Sequence, residues 1–209
     1  MDSKQIEKVL WGDKWTQKGF IGCFPADQIP PTITKYPCSI IINLDSTNKN
    51  PGTHWIAAYC ENESCVYYFD CFGSLNCIYP PFLKPSPYIL CGPNAAIYDF
   101  LNRFDSVITN KFIYQSLFAN NSAHYCIYFI HAMSIGIPFN KIVSILDKHQ
   151  DPNNFVLNFV YNIADWIKIL KQLTSTTPFT PTTSLLLHTL TPPYYVNHSL
   201  LHLNVTCYK

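Results

Sequence analysis

The sequence predicts an α+β fold. Two observations carry that expectation. Three short apolar runs rich in β-branched and aromatic residues follow one another between Cys38 and Phe72, the pattern of buried or half-buried strands. From Asn94 onward the pattern is mainly helical, and the longest such stretch is apolar on nearly every face, as in a helix enclosed by a core.

Taken in order, residues 1–18 place Ile6, Val9 and Leu10 at helical spacing. Residues 19–37 carry Pro25, Pro30, Pro31 and Pro37 and read as irregular. CSIIINLD, residues 38–45, reads as a fully buried strand, and STNKNPG, residues 46–52, as a loop. HWIAAYC, residues 54–60, and CVYYFDCF, residues 65–72, read as two strands joined by a turn at ENES. Residues 80–93 form a Pro-rich connection, and NAAIYDFLNRF, residues 94–104, a helix with Asn94 as N-cap. KFIYQSLF, residues 111–118, reads as another strand. In SAHYCIYFIHAMSIG, residues 122–136, Ser122 is the expected N-cap and Gly136 the expected C-terminal stop of the buried helix. FNKIVSIL and FVLNFVYNIADWIKILKQL (residues 155–173) are two further helices. From Thr174 the chain turns Thr/Pro-rich, so the expected division is a domain over 1–173 and a tail over 174–209.

Composition narrows the function. With 209 residues, 48% hydrophobic and 13% charged, the chain can bury a core and is not disordered. A net charge of +1 argues against a dedicated electrostatic nucleic-acid binder. The apolar stretch over residues 112–139 is broken by Gln115, Asn120, Asn121, Ser122 and His124, too polar for a membrane span. MDSKQIEKVLW lacks the apolar core of a signal peptide. A reducing compartment is therefore expected, with the nine cysteines acting mostly as small hydrophobes. No Cys-x-x-Cys pair occurs, so a zinc site of the usual spacing is not expected; no metal and no cofactor are assigned to the chain.

The hairpin of the second and third strands carries the chemistry. A turn centred near Asn62 sets His54 opposite Asp70, with Cβ atoms about 4.5–5.5 Å apart. An imidazole beside a carboxylate is oriented and held basic, half of a nucleophilic site. A structural pair at a sheet end is the alternative. The other half would be a helix start, whose unpaired N–H groups acidify a thiol and hold an oxyanion. Gln115 precedes Ser122 by seven residues; a strand residue and a plain N-cap are their simpler roles. His124 lies near the helix start. His131 reads as a core histidine with its hydrogen bonding satisfied, and Cys126 as a buried core cysteine.

GFIGCFPADQIP, PGTHW, YYFDCFG, a Gln and SAHYCIYFIHA occur in this order over roughly residues 16–162. In that order they resemble the adenain-type cysteine endopeptidases, the maturation proteases of adenoviruses and of Maverick/Polinton-like and virophage elements. The resemblance implies a papain-like, Ulp-type fold with a central mixed sheet packed on the buried helix starting near Ser122, and helices flanking. It implies His54 as base with Trp55 packed beside it, Asp70 orienting the imidazole, and Gln115 donating to the oxyanion. The nucleophile would be the first residue of the 122–135 helix. Where the family has Cys-Gly, this chain has Ser122 and Ala123. Three explanations compete: a nucleophile-replaced protease, a pseudoprotease that binds without cutting, or Ser122 or Cys126 as nucleophile. The last ranks lowest, because serine has no accessible alkoxide at neutral pH and Cys126 lies about 6 Å along the helix.

The expected partner is a protein or peptide, a capsid or core precursor, met inside the infected cell and in the virion by a monomeric enzyme. Some adenoviral enzymes also use DNA and a disulfide-linked peptide. The neutral charge and the lack of Cys near Arg103 and Phe104 argue against both here. A hydrolase of ubiquitin-like modifiers is a weaker alternative.

Overall fold

The computed structural model describes residues 1–47, 54–73, 95–116 and 119–176. The chain divides into two compact units, Met1–Val160 and Tyr161–Lys209. The candidate site lies in the first, and the described part of the second is the later stretch of the last helix.

The first helix, α1 (Ser3–Gly12), opens on a capping box: Asp2 accepts from the Gln5 amide at 2.8 Å while the Gln5 side chain accepts from the Asp2 amide at 3.0 Å. Its apolar stripe Ile6, Val9 and Leu10 is buried. Five strands then form one mixed sheet in the order β1-β2-β3-β4-β5: β1 (Phe20–Pro25), β2 (Cys38–Asn43), β3 (Trp55–Cys60), β4 (Cys65–Phe69) and β5 (Ser106–Thr109). The outer pairs β1–β2 and β4–β5 are parallel and the inner pairs antiparallel. The fold is α+β.

Helix α2 (Ala95–Leu101) covers one sheet face, where Ile97, Phe100 and Leu101 join Ile40, Ile42, Ile56, Ala58 and Val66 in one core. The alternate residues Ile41, Ala57 and Phe69 turn to the other face. Helix α3 (Ser122–Ser134) packs there, with Phe129 stacked on Phe69 at 5.1 Å. Both faces being covered, all six residues of β2 are buried, and twelve of the thirteen residues of α3 are buried too. Helices α4 (Phe139–Lys148) and α5 (Pro152–Thr176) complete the elements. Gly136, with φ +82°, ends α3 in the left-handed region where glycine is unstrained.

Four expectations are corrected. Residues 20–25 are a strand rather than irregular chain; β1 pairs in parallel with β2, and parallel pairing needs no local turn signal. The strand expected over 111–118 is displaced to Ser106–Thr109, while 110–115 is held as non-strand chain by Asn110 and Cys71. Asn121, not Ser122, is the N-cap of α3, and Ser122 is its first helical residue. Helix α5 runs past Leu173 to Thr176. The expected Pro-rich connection (80–93), Asn94 and the tail from Thr177 lie outside the described residues.

Candidate active site

The observed register of the β3–β4 hairpin sets Ala57 opposite Phe69 and Ala58 opposite Tyr68. That is offset by two from the expected pairing, so continuing it past the strand ends brings His54 across from Phe72 and leaves Asp70 on the diagonal. The two rings stack, with centroids 4.6 Å apart. The diagonal neighbour remains within reach of a long side chain. His54 Nε2 lies 2.7 Å from Asp70 Oδ1, and both residues are buried.

Backbone bonds fix each member. The His54 carbonyl accepts from the Leu44 amide at 3.0 Å. Asp70 leaves β4 into a turn in which its Oδ1 accepts from the Phe72 amide at 2.9 Å and its carbonyl accepts from the Gly73 amide at 2.9 Å. Gly73 has φ +90°, and a Cβ there would meet the Lys111 carbonyl at 3.3 Å. Glycine thus suits this turn on both counts. Asn110 clamps the same turn, accepting from the Asp70 amide at 3.0 Å and donating to its carbonyl at 2.7 Å.

With Nε2 committed to Asp70, the other ring nitrogen, Nδ1, is buried and has no hydrogen-bond partner. Nδ1 is the ring nitrogen next to the side-chain root. The Trp55 amide donates to Ser122 Oγ at 3.3 Å, which brings the hydroxyl to the peptide that joins His54 to Trp55. Ser122 stands in the first turn of α3, where Asn121 makes no side-chain capping bond; the His124 amide donates to the Asn121 carbonyl at 2.9 Å, which leaves the Ser122 and Ala123 N–H groups to another acceptor. The Trp55 indole donates to the Met1 carbonyl at 3.2 Å, so the start of the chain lies against the site.

Gln115 is buried and its side chain has a defined orientation. Cys71 Sγ donates to its Oε1 at 3.2 Å, and its Nε2 donates to the Ala119 carbonyl at 2.7 Å. The Tyr114 and Gln115 amides both donate to the Cys71 carbonyl, at 2.8 and 3.1 Å. Tyr125 on α3 donates to the Tyr114 carbonyl at 3.0 Å. Gln115 therefore hangs on the turn that carries Asp70 and on the helix that carries Ser122.

Ala123 is buried beside Ser122. His124 is buried too, and burial, followed by the N-terminal ammonium, lowers its pKa from 6.5 to about 4. Burial and then the charge of Asp70 push the Cys126 thiol well above its ordinary value, which makes it a poor nucleophile. His54, Trp55, Asp70, Gln115 and Ser122 are thus linked by contacts through Cys71, Tyr114 and the His54–Trp55 peptide. Sequence reasoning missed Cys71, Phe72 and Asn110. The only signal for them was their nearness to Asp70 and Gln115 in the chain.

No protein-family model matches the chain, and no curated protein is similar to it at a significant level. Among solved structures it is similar to the central domain of an uncharacterized Lpg1148 protein from Legionella pneumophila, at 12% identity and a TM-score of 0.42, over 80% of this chain and 98% of that one. A likeness of that size identifies neither a fold family nor an activity. No helix among the described residues is long and apolar enough to cross a membrane.

Proposed function

We propose that this chain carries a peptide-bond-cleaving site of the adenain type, on a papain-like, Ulp-type fold, with Ser122 in the position of the nucleophile. The observation that supports it best is the buried His54–Asp70 pair at 2.7 Å with Nδ1 left without a partner, together with Ser122 Oγ on the adjoining peptide.

With a thiol at position 122, Nδ1 takes the thiol proton while Asp70 holds the ring by Nε2 and stabilises the imidazolium. The thiolate attacks the substrate carbonyl. Gln115 Nε2–H and the first-turn N–H groups of α3 receive the developing oxyanion. The imidazolium then protonates the leaving amine, and water resolves the acyl-enzyme. With Ser122 the same steps start from a hydroxyl of much higher pKa, so turnover is slow. The substrate is a protein or peptide, in the adenain reading a capsid or core precursor cut in the infected cell or the virion.

A second reading, a pseudoprotease that binds but does not cut, is favoured by one contact: the Ser122 hydroxyl already accepts from the Trp55 amide. One experiment separates the two. The chain as written and its Ser122→Cys variant are incubated with a proteome-derived peptide library, and new termini are read by mass spectrometry. Cleavage by the Cys variant, lost in Ser122→Cys/His54→Ala, supports the protease site. No cleavage by either form, with library peptides retained, supports the binding module and sinks the proposed chemistry.

A further inference from the structure

We infer that His54, Asp70 and Cys71 form a binding site for a zinc-class divalent cation, and that a bound cation withdraws His54 from service as a base. These residues are far apart or unremarkably spaced in sequence, so no Cys-x-x-Cys pattern announces them. The hairpin register and the turn after β4 bring them together. One nitrogen, one carboxylate oxygen and one sulfur lie within 4.8 Å of one another, and all three residues are buried.

The donor set is the mixed nitrogen, oxygen and sulfur set that suits zinc, and three protein ligands leave the fourth tetrahedral position for water. Zinc bond lengths of about 2.0–2.3 Å place tetrahedral ligands about 3.3–3.6 Å apart. The His54–Asp70 separation of 2.7 Å therefore opens by roughly 0.6 Å or more, and Cys71 Sγ moves inward, giving up its bond to Gln115 Oε1. That bond is the weak one to lose, because a thiol is a poor donor.

Proton placement is compatible with the cation. As a base, His54 keeps its proton on Nε2, facing Asp70, and presents a bare Nδ1. A cation on Nε2 requires the other tautomer, with the proton on Nδ1. That shift breaks no hydrogen bond, and it places an N–H at a buried nitrogen that has no partner in the metal-free protein. Cys71 releases its thiol proton to solvent and binds as thiolate. The balance is one proton released and one cation gained. With Nδ1 protonated, nothing remains to accept a proton from residue 122. Cation binding and base chemistry are thus mutually exclusive. Only this last consequence rests on the protease reading; the site itself does not.

The test uses the full chain with Ser122 retained, Co²⁺ as the probe and Zn²⁺ as competitor. One Co²⁺ per chain is expected, with a sulfur-to-cobalt charge-transfer absorption that Zn²⁺ abolishes. Cys71→Ser should remove that absorption, and Asp70→Asn should weaken binding on the order of tenfold or more. Cys126→Ser and Cys38→Ser should leave it in place. An absorption that survives Cys71→Ser, or none at millimolar Co²⁺ in the folded protein, overturns the inference. Should Cys71→Ser fail to fold, His54→Gln decides in its place: loss of the absorption supports the site and retention overturns it. Binding is read without activity, so failure here and failure of the protease reading stay separate.

Discussion

Two buried His–Asp pairs flank α3, and they spend different ring nitrogens although their distances are the same. His54 meets Asp70 and His131 meets Asp13, each at 2.7 Å and each buried. His131 uses its root-side nitrogen, Nδ1, joins the end of α1 to the second half of α3, and packs its ring edge-on to Phe159 at 5.3 Å. His54 uses its tip nitrogen, Nε2, and so keeps its root-side nitrogen bare, in a residue whose neighbour Trp55 bonds to Ser122 at a helix start. The lesson is that a His–Asp distance does not assign a role. Which nitrogen is spent, and what adjoins the other, separates a brace from a candidate base.

The largest effect that sharpens the contrast is on catalysis. In the Ser122→Cys background, His54→Ala should lower kcat/KM by about 10³–10⁴, whereas His131→Ala should change it far less than it changes stability. Equal losses from the two substitutions, in proteins shown to be folded, would erase the distinction. Next comes Gln115→Ala, expected to cost about 10²–10³ in kcat as one oxyanion donor is lost, with little change in KM. A KM effect alone would make Gln115 a binding residue.

Stability should show the reverse order. Asp13→Ala removes the carboxylate from the buried His131 Nδ1 and should cost about 1–3 kcal/mol in urea unfolding, while leaving kcat of the Cys form near its starting value. The smallest expected effect concerns His124. Its folded pKa, near 4, lies below the ordinary 6.5, so the unfolded chain binds the proton more readily between those values. Stability held above pH 6.5 should fall toward pH 4, by at most about 1.4 kcal/mol per pH unit for this one group. His124→Gln should flatten that part of the profile; an unchanged slope would show that His124 titrates freely.

Much of the fold is legible in the sequence where a local signal exists. The Cys38–Asn43, Trp55–Cys60 and Cys65–Phe69 strands announce themselves by composition, and α3 by its unbroken apolar surface. What escapes is non-local. Strand β1 is fixed by a parallel partner eighteen or more residues away, and β5 is four residues long with three of them exposed. The segment KFIYQSLF has strand-like composition, but Asn110 and the Cys71 carbonyl claim its backbone first. In the candidate site the His54–Asp70 partnership was legible from a hairpin argument that placed the pair directly opposite; the true contact is diagonal. Cys71 was invisible because its importance comes from Gln115, forty-four residues on.

The hairpin also sets a rule for insertions and deletions. His54 and Asp70 stand at the free ends of two antiparallel strands that are counted from one turn at residues 61–64. That turn works as a ruler's zero mark. Removing one residue from β3 alone would turn its remaining side chains to the opposite face and carry the imidazole away from the carboxylate. Removing one from each strand would shorten the ruler on both sides and keep the two in register. In relatives of this chain, length changes in one strand should be matched by equal changes in the other, while the turn itself is free to vary in length.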